Sequence, residues 1–176
     1  MNSLIIKYNK HMLKKYLLLL SVSLIFNSFA YSASNSSGDN DGKSLTVNNF
    51  KKGSSLIKQA KKYEAKGKSE KARNRFSKAL KYLLISNKEK PNQPNTLNYL
   101  GFASRKIGNF EIAEKYYLEG LSIDPNHFGI NEYLGELYVN TNRLDKAKER
   151  LKVLENCNCE EFKELSGAIK SGSSKY

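Results

Sequence analysis

The sequence predicts an all-α protein, an α-solenoid of three helix-turn-helix repeats that is closed by a C-terminal capping helix. The main observation is a constant step of 34 residues, by which Gly101 recurs as Gly135 and Ala113 recurs as Ala147. A period of this length is typical of stacked helix pairs. The composition agrees, because 176 residues with 39% hydrophobic side chains, no Trp and a mean hydropathy of -0.60 suit one thin repeat stack and a leader.

The stretch 1–32 predicts a secretion signal peptide with cleavage after Ser32. An apolar run of 14 residues, from Tyr16 to Phe29, follows the basic residues Lys7, Lys10, Lys14 and Lys15. This run is shorter than the roughly 20 residues that span a bilayer as a helix. We therefore expect a periplasmic or secreted protein. An uncleaved signal that anchors the domain to the inner membrane is the alternative.

Residues 33–52 predict a flexible linker, because the Ser, Asn, Gly and Asp that open this stretch bury little apolar surface. Helical spacing begins at Gly53, and a repeat domain is expected over 53–170. The last residues, 171–176, are rich in Ser and Gly and predict a loose tail.

The first repeat is expected at about 53–86. Its Ala72 precedes Ala113 by 41 residues, which is seven more than the period. Seven residues are close to two helical turns, so the second helix of this repeat lengthens while its apolar face keeps its direction. Pro91 and Pro94 then end that helix.

The second and third repeats are expected at about 94–127 and about 128–161. Two helices approach closely where side chains are small, and Gly101 and Gly135 are expected to have matching surroundings for this reason. A capping helix at about 160–170 follows from an apolar stripe at relative positions 0, 3 and 7, formed by Phe162, Leu165 and Ile169. Such a helix covers the open apolar face of the last repeat.

These positions resemble the tetratricopeptide repeat family over about 53–160. The resemblance depends most on the second repeat, with its Leu-Gly, Ala, aromatic and Pro positions at Leu100, Gly101, Ala113, Tyr117 and Pro125. The chain departs from the family pattern at Ala60, Leu97, Ser104 and Asn131. The run from Leu97 to Arg105 and the Cys-Asn-Cys near the C-terminus also look like a group of small exported bacterial tetratricopeptide proteins.

The resemblance implies a scaffold that binds a protein or peptide, and not an enzyme. In this family the first helix of each repeat lines a concave groove. The candidate groove residues, carried over by position, are Lys58, Lys61, Asn98, Tyr99, Phe102, Arg105, Glu132, Tyr133 and Glu136. The alternative is that several of them, Tyr99 and Tyr133 especially, pack between repeats. The family's carboxylate clamp does not carry over, because Ile57 and Lys61 stand where that clamp has Lys and Asn.

The positive charge of the chain belongs to one segment. The formal net charge is +13, and residues 51–90 alone hold 14 Lys and Arg against three Glu. One interpretation is an envelope assembly factor that docks on an anionic membrane surface through its basic first repeat. The other is a solvated surface with no partner. Nucleic acid is not expected as a partner, because the sequence contains no groove-reading or stacking motif.

Cys157 and Cys159 are a candidate disulfide. Cys159 falls where the previous repeat has Pro125, so we hypothesise that a Cys-x-Cys bridge fixes the turn that Pro sets there. Free thiols, an intermolecular bridge or an accessory role in thiol or cytochrome maturation are the alternatives.

No catalytic, cofactor-binding or metal-binding residues are predicted. His127 is the one His after the leader and lies in an Asp-Pro-Asn-His turn, which is typical of a loop residue. The sequence has no Gly-rich phosphate loop, no Ser/His/Asp set and no metal-ligand spacing. Glu132 and Glu136 are four residues apart on one helix face and fit a polar groove wall.

Overall fold

The computed structural model describes residues 41–174, with side chains from residue 48 onward. This part of the chain forms seven α-helices and no strand, and the predicted all-α fold class is confirmed. The helices are α1 Asp41–Glu64, α2 Ser69–Glu89, α3 Pro94–Lys106, α4 Phe110–Ile123, α5 Phe128–Asn140, α6 Leu144–Val153 and α7 Glu160–Ser171. The predicted signal peptide and the start of the predicted linker lie outside the described residues.

The helices form three pairs, α1 with α2, α3 with α4 and α5 with α6, and α7 caps the last pair. Successive inner helices, α1, α3, α5 and α7, contact one another. Within the described chain, the outer helices α2, α4 and α6 contact their inner partners but not each other. The stack therefore curves with its inner helices on the concave side, as in other helical repeat solenoids. We call the surface of the four inner helices the concave face.

Each helix pair turns at a residue with a positive φ. Gly67, Gly108 and Asn142 have φ values of 66°, 93° and 57°, and each stands between the two helices of its repeat. The left-handed conformation costs a side chain with a Cβ energy, which Gly avoids and Asn tolerates. The recurrence of these residues in the sequence therefore reflects the geometry of the turn.

The core runs along the whole stack. Phe76 of α2 and Phe102 of α3 are 1% and 0% exposed, and their rings meet edge to face with centroids 5.8 Å apart. In the next repeat Tyr117 and Leu134 are fully buried. Each repeat thus buries its apolar face against the following one, which a single helix pair could not do.

Gly101 and Gly135 do not have the matching surroundings that the sequence predicts. A Cβ at Gly101 would collide with the ring of Tyr117 in α4, whereas a Cβ at Gly135 would collide with Leu165 in α7. The reason is that α6 has ten residues against 14 in α4, so the capping helix supplies the large side chain in the third repeat. The requirement for a small residue is the same, and its cause differs.

The predicted linker is wrong in its C-terminal part, because α1 begins at Asp41 and continues without a break through Gly53. Phe50 packs on Tyr99 with ring centroids 5.7 Å apart, and the Asn49 side-chain amide donates hydrogen bonds of 3.1 and 3.2 Å to the Glu89 carboxylate. An apolar anchor and two polar contacts therefore extend the first helix beyond its repeat.

The predicted loose tail is also wrong for residues 171–174. Helix α7 continues to Ser171, and Gly172 ends it in the left-handed conformation with φ 69°. The backbone N–H of Ser174 then donates a hydrogen bond of 3.3 Å to the side chain of Asn140. This polar pairing holds the segment beside α5. Residues 175 and 176 lie outside the described part.

No helix among residues 41–174 is both long enough and apolar enough to cross a membrane.

Candidate functional site on the concave face

Aromatic and basic side chains from three inner helices meet at the middle of the concave face. The rings of Phe102 in α3 and Tyr133 in α5 lie 4.7 Å apart between centroids. The Lys61 ammonium of α1 lies 4.6 Å from the Phe102 centroid and donates a hydrogen bond of 3.0 Å to the Tyr133 hydroxyl. Burial lowers the pKa of Lys61. These three residues, together with Arg105 and Glu136, are called the central cluster.

Arg105 and Glu136 form a buried ion pair within the central cluster. The Arg105 Nη2 atom lies 2.7 Å from Glu136 Oε2, and the two residues are 3% and 0% exposed. Burial raises the pKa of Glu136, and the neighbouring Arg105 guanidinium opposes that rise. Glu136 Oε1 is buried and has no hydrogen-bond partner among the described residues. The pair joins the second repeat to the third.

Glu132 lies one helical turn before Glu136 and is 5% exposed. No described residue donates a hydrogen bond to it. Burial raises the pKa of Glu132 to about 8, and the charges of Glu136 and of Glu161 in α7 raise it further, while Lys61 opposes them. The carboxyl group is therefore mostly protonated at neutral pH, and a cation placed beside it would lower its pKa.

The segment after α7 reaches the concave face. The Ser174 hydroxyl receives a hydrogen bond of 2.8 Å from the Asn140 amide and lies 3.4 Å from the Arg105 guanidinium. The sequence predicts nothing of this contact. A Gly that follows a helix often ends it with a reversal of direction, so Gly172 was the available indication.

Five of the nine candidate groove residues are buried. Lys58 is exposed, and Lys61, Tyr99 and Tyr133 are partly buried. The buried residues are Asn98, Phe102, Arg105, Glu132 and Glu136. The cause is direct contact between successive inner helices, which makes side chains at these positions pack against the next helix. The alternative of packing between repeats therefore describes much of this set, including Ile57, which is 2% exposed.

A basic cleft lies on the first repeat, away from the central cluster. It is lined by Tyr63, Lys71, Asn74, Arg75 and Lys78. The two lysines are exposed. In addition, Arg73 of α2 donates a hydrogen bond of 3.3 Å to the carbonyl of Ile107, so one basic residue of this segment has a structural contact.

Cys157 and Cys159 form a disulfide in the turn between α6 and α7, with Cα atoms 5.1 Å apart. Asn158 between them has φ 48°, a value that Asn tolerates better than most residues. Cys159 is the last residue before α7.

His127 caps α5. Its Nδ1 atom accepts a hydrogen bond of 3.2 Å from the backbone N–H of Ile130, and its Nε2 atom lies 3.0 Å from the Asn95 side-chain oxygen. This places the His in a structural role. Among residues 41–174, no group of three or more His, Cys, Asp or Glu side chains is arranged to hold a metal ion.

Residues 94–127 match the tetratricopeptide repeat family. No curated protein is significantly similar to the chain. Among solved structures, the Yersinia enterocolitica type III secretion translocator chaperone SycD, in an alternative dimer, is similar with a TM-score of 0.50 and 21% identity, over 69% of this chain and 89% of that one.

Two further structures are similar at lower scores. SycD of Yersinia enterocolitica in complex with a peptide of the translocator YopD has a TM-score of 0.49 and 21% identity, over 68% of this chain and 87% of that one. The Arabidopsis OM64 TPR domain has a TM-score of 0.47 and 14% identity, over 70% and 98%. The family match and the helix order together identify the fold as a helical solenoid of tetratricopeptide repeats.

Proposed function

We propose that this protein is an exported, non-enzymatic scaffold that holds a protein or peptide segment against its concave face. The central cluster is the observation that carries the proposal. It brings basic, acidic and aromatic side chains from α1, α3 and α5 to one surface. The leader of lysines followed by an apolar run supports export to the periplasm or beyond.

The chemistry of the central cluster supports recognition more than stability. A repeat stack closes its core with apolar side chains, and a well-packed apolar pair is often at least as stabilising as a buried ion pair. Arg105 and Glu136 nevertheless stand at such a position with almost no exposure. Charged groups held rigidly beside a curved surface favour a partner with complementary charge and disfavour others.

Site-specific crosslinking tests the concave face as the binding surface. Lys58 is exposed on α1 and lies one turn before Lys61 on the same helix face. A photo-crosslinking residue at position 58 is expected to give a discrete adduct in the exported protein's own compartment. The matched control is position 148 on the outer helix α6, where the lysine side chain is 64% exposed. Equal adducts from both positions, or adducts from position 148 alone, would contradict the proposal.

We infer a second candidate function from the basic cleft, namely docking on an anionic membrane surface. The cleft lies in the segment 51–90, where basic residues outnumber acidic ones by 14 to three. Each Lys or Arg close to an anionic leaflet contributes about 1 kcal/mol of attraction. A few exposed cations on one surface are therefore enough for reversible association.

Vesicle binding distinguishes this second function. We expect cosedimentation with phosphatidylglycerol vesicles that weakens as salt shortens the Debye length from about 10 Å at 0.1 M to about 3 Å at 1 M. Reversing the cleft charges in a Lys71→Glu, Arg75→Glu, Lys78→Glu variant should abolish it. The same charge change on the other end of the chain, in Lys148→Glu, Lys152→Glu, Lys170→Glu, should not. If both variants weaken binding equally, the attraction is a property of net charge and not of the cleft.

A further inference from the structure

Four glutamates meet at the C-terminal end of the concave face, and we call them the carboxylate cluster. Glu132 and Glu136 belong to α5, and Glu161 and Glu164 belong to α7. Spacings of four and three residues place each pair on one face of its helix. Their charges act on one another, since Glu136, Glu161 and Glu164 all raise the pKa of Glu132.

The carboxylate cluster lacks hydrogen-bond donors. Glu132 is 95% buried by its 5% exposure and receives no hydrogen bond from a described residue. Glu136 uses Oε2 for Arg105, while its Oε1 is buried without a partner in the described chain. Burying a carboxyl group without a donor costs roughly 1–3 kcal/mol, and more when it is ionised. A ligand that brings donors to this position would recover that energy.

The cations that face the cluster from the other inner helices are already engaged. Arg105 is bonded to Glu136 at 2.7 Å, and its guanidinium also lies 3.4 Å from Ser174. Lys61 donates to the Tyr133 hydroxyl and lies over the Phe102 ring. Neither donates a hydrogen bond to Glu132, so the most deeply placed carboxyl of the cluster has no ion-pair partner among the described residues.

We propose that the carboxylate cluster is a subsite for one cationic side chain, a lysine or arginine of the protein segment that the concave face binds. The proposal rests on the scaffold function above and names the chemistry of its partner. A lysine ammonium supplies three donors and an arginine guanidinium supplies five, which match the unpartnered carboxyl oxygens of Glu132 and Glu136. The rings of Phe102 and Tyr133 already accept the Lys61 ammonium at 4.6 and 5.3 Å from their centroids, so this surface is suited to a second cation.

A side chain is favoured over a metal ion by the same geometry. No group of acidic side chains among the described residues is arranged to hold a metal. The overall net charge of +13 repels a basic peptide from the molecule as a whole. A basic peptide that binds must therefore do so at a local acidic site, and in the second half of the chain this cluster provides one.

Binding of a cation should release a proton. Because burial and like charges raise the pKa of Glu132 to about 8, its carboxyl is mostly neutral at pH 7. A bound ammonium lowers that pKa, so binding is accompanied by ionisation of Glu132 and becomes tighter as the pH rises through 8. A simple surface attraction between charges would show no such linkage.

Isothermal titration of the full chain tests the subsite. The probe is an acetylated and amidated decapeptide of alternating Lys and Ala, and its control carries Nε-acetyl-lysine throughout. We expect the Lys peptide to bind about tenfold or more tightly at pH 8.5 than at pH 6, in proportion to a pKa change of about one unit or more. The Glu132→Gln variant should lose about tenfold in affinity at pH 8.5 and lose the proton release. The exposed Glu155→Gln variant, with the same change in charge, should behave as the unmodified chain.

Three outcomes would overturn the subsite: no binding of the Lys peptide at either pH, equal binding of the acetylated peptide, or unchanged affinity in Glu132→Gln. The last variant removes a charge that is unfavourable in the folded state, so misfolding does not explain a loss of binding. If the subsite fails while crosslinking at position 58 succeeds, the scaffold function stands and its partner is not basic. If crosslinking shows no preference for position 58, the scaffold function itself is contradicted.

Discussion

Replacing Glu136 with Ala is expected to lower the free energy of unfolding by about 3–5 kcal/mol. The substitution leaves the Arg105 guanidinium 3% exposed without its carboxylate, and an arginine cannot lose its proton to escape the penalty. The pair also joins α3 to α5, so its loss affects the contact between two repeats. Urea unfolding followed by circular dichroism at 222 nm, at pH 7 and constant salt, measures the change.

A double replacement separates the ion pair from the space that it fills. Arg105→Met with Glu136→Leu removes both charges and should recover most of the loss, because apolar pairs often replace buried ion pairs without cost. The exposed pair of Lys148 and Asp145, 3.8 Å apart, provides the matched control. Lys148→Ala should change stability by less than about 1 kcal/mol. A loss of under about 1 kcal/mol in Glu136→Ala would mean that water reaches the pair.

The fold could be predicted from the sequence because its determinants are local and repeated. The 34-residue step fixes where helices turn, and Gly67, Gly108 and Asn142 do occupy left-handed turns. Small residues at Gly101 and Gly135 indicate close helix contact wherever the partner comes from. Pattern and backbone chemistry therefore specify the helices and their order.

The partner of each helix face could not be predicted in the same way. Tyr117 of the outer helix fills the space at Gly101, whereas Leu165 of the capping helix fills it at Gly135. The length of α6 decides between these outcomes, and periodicity alone does not give that length. The N-terminal extension of α1 depends likewise on the contact between Phe50 and Tyr99, which are 49 residues apart in sequence.

The site was predicted by position and not by accessibility. Family resemblance placed Phe102, Arg105 and Glu136 on the inner helices, and the structure brings them together there. Whether such residues line an open groove or pack against the next helix depends on the distance between inner helices. That distance is a tertiary property. Glu161 and Glu164 were not recognised at all, because the angle at which α7 meets α5 has no equivalent in the repeat.

The stability of the protein is expected to fall as the pH rises from about 5 to about 9, and Glu132→Gln should remove much of this slope. An ordinary Glu has a pKa of about 4.3, whereas burial and the charges of Glu136 and Glu161 raise the pKa of Glu132 to about 8 in the folded state. The folded chain therefore holds a proton that the unfolded chain has released. The contribution of this group is complete below about pH 4.3 and is lost as the pH passes 8.

At pH 9 the Glu132→Gln variant should be more stable than the unmodified chain by about 3 kcal/mol, somewhat less than the full pKa difference gives, because water entering the site stabilises the carboxylate. At pH 5 the two should differ by less than about 1 kcal/mol, since both then carry a neutral side chain at position 132. Urea unfolding at a series of pH values provides the comparison, and Glu155→Gln, which neutralises an exposed carboxylate, should leave the slope unchanged. Parallel curves for Glu132→Gln and the unmodified chain would show that Glu132 is ionised and solvated in the folded protein. Such a result would also remove the proton linkage on which the cation subsite was argued.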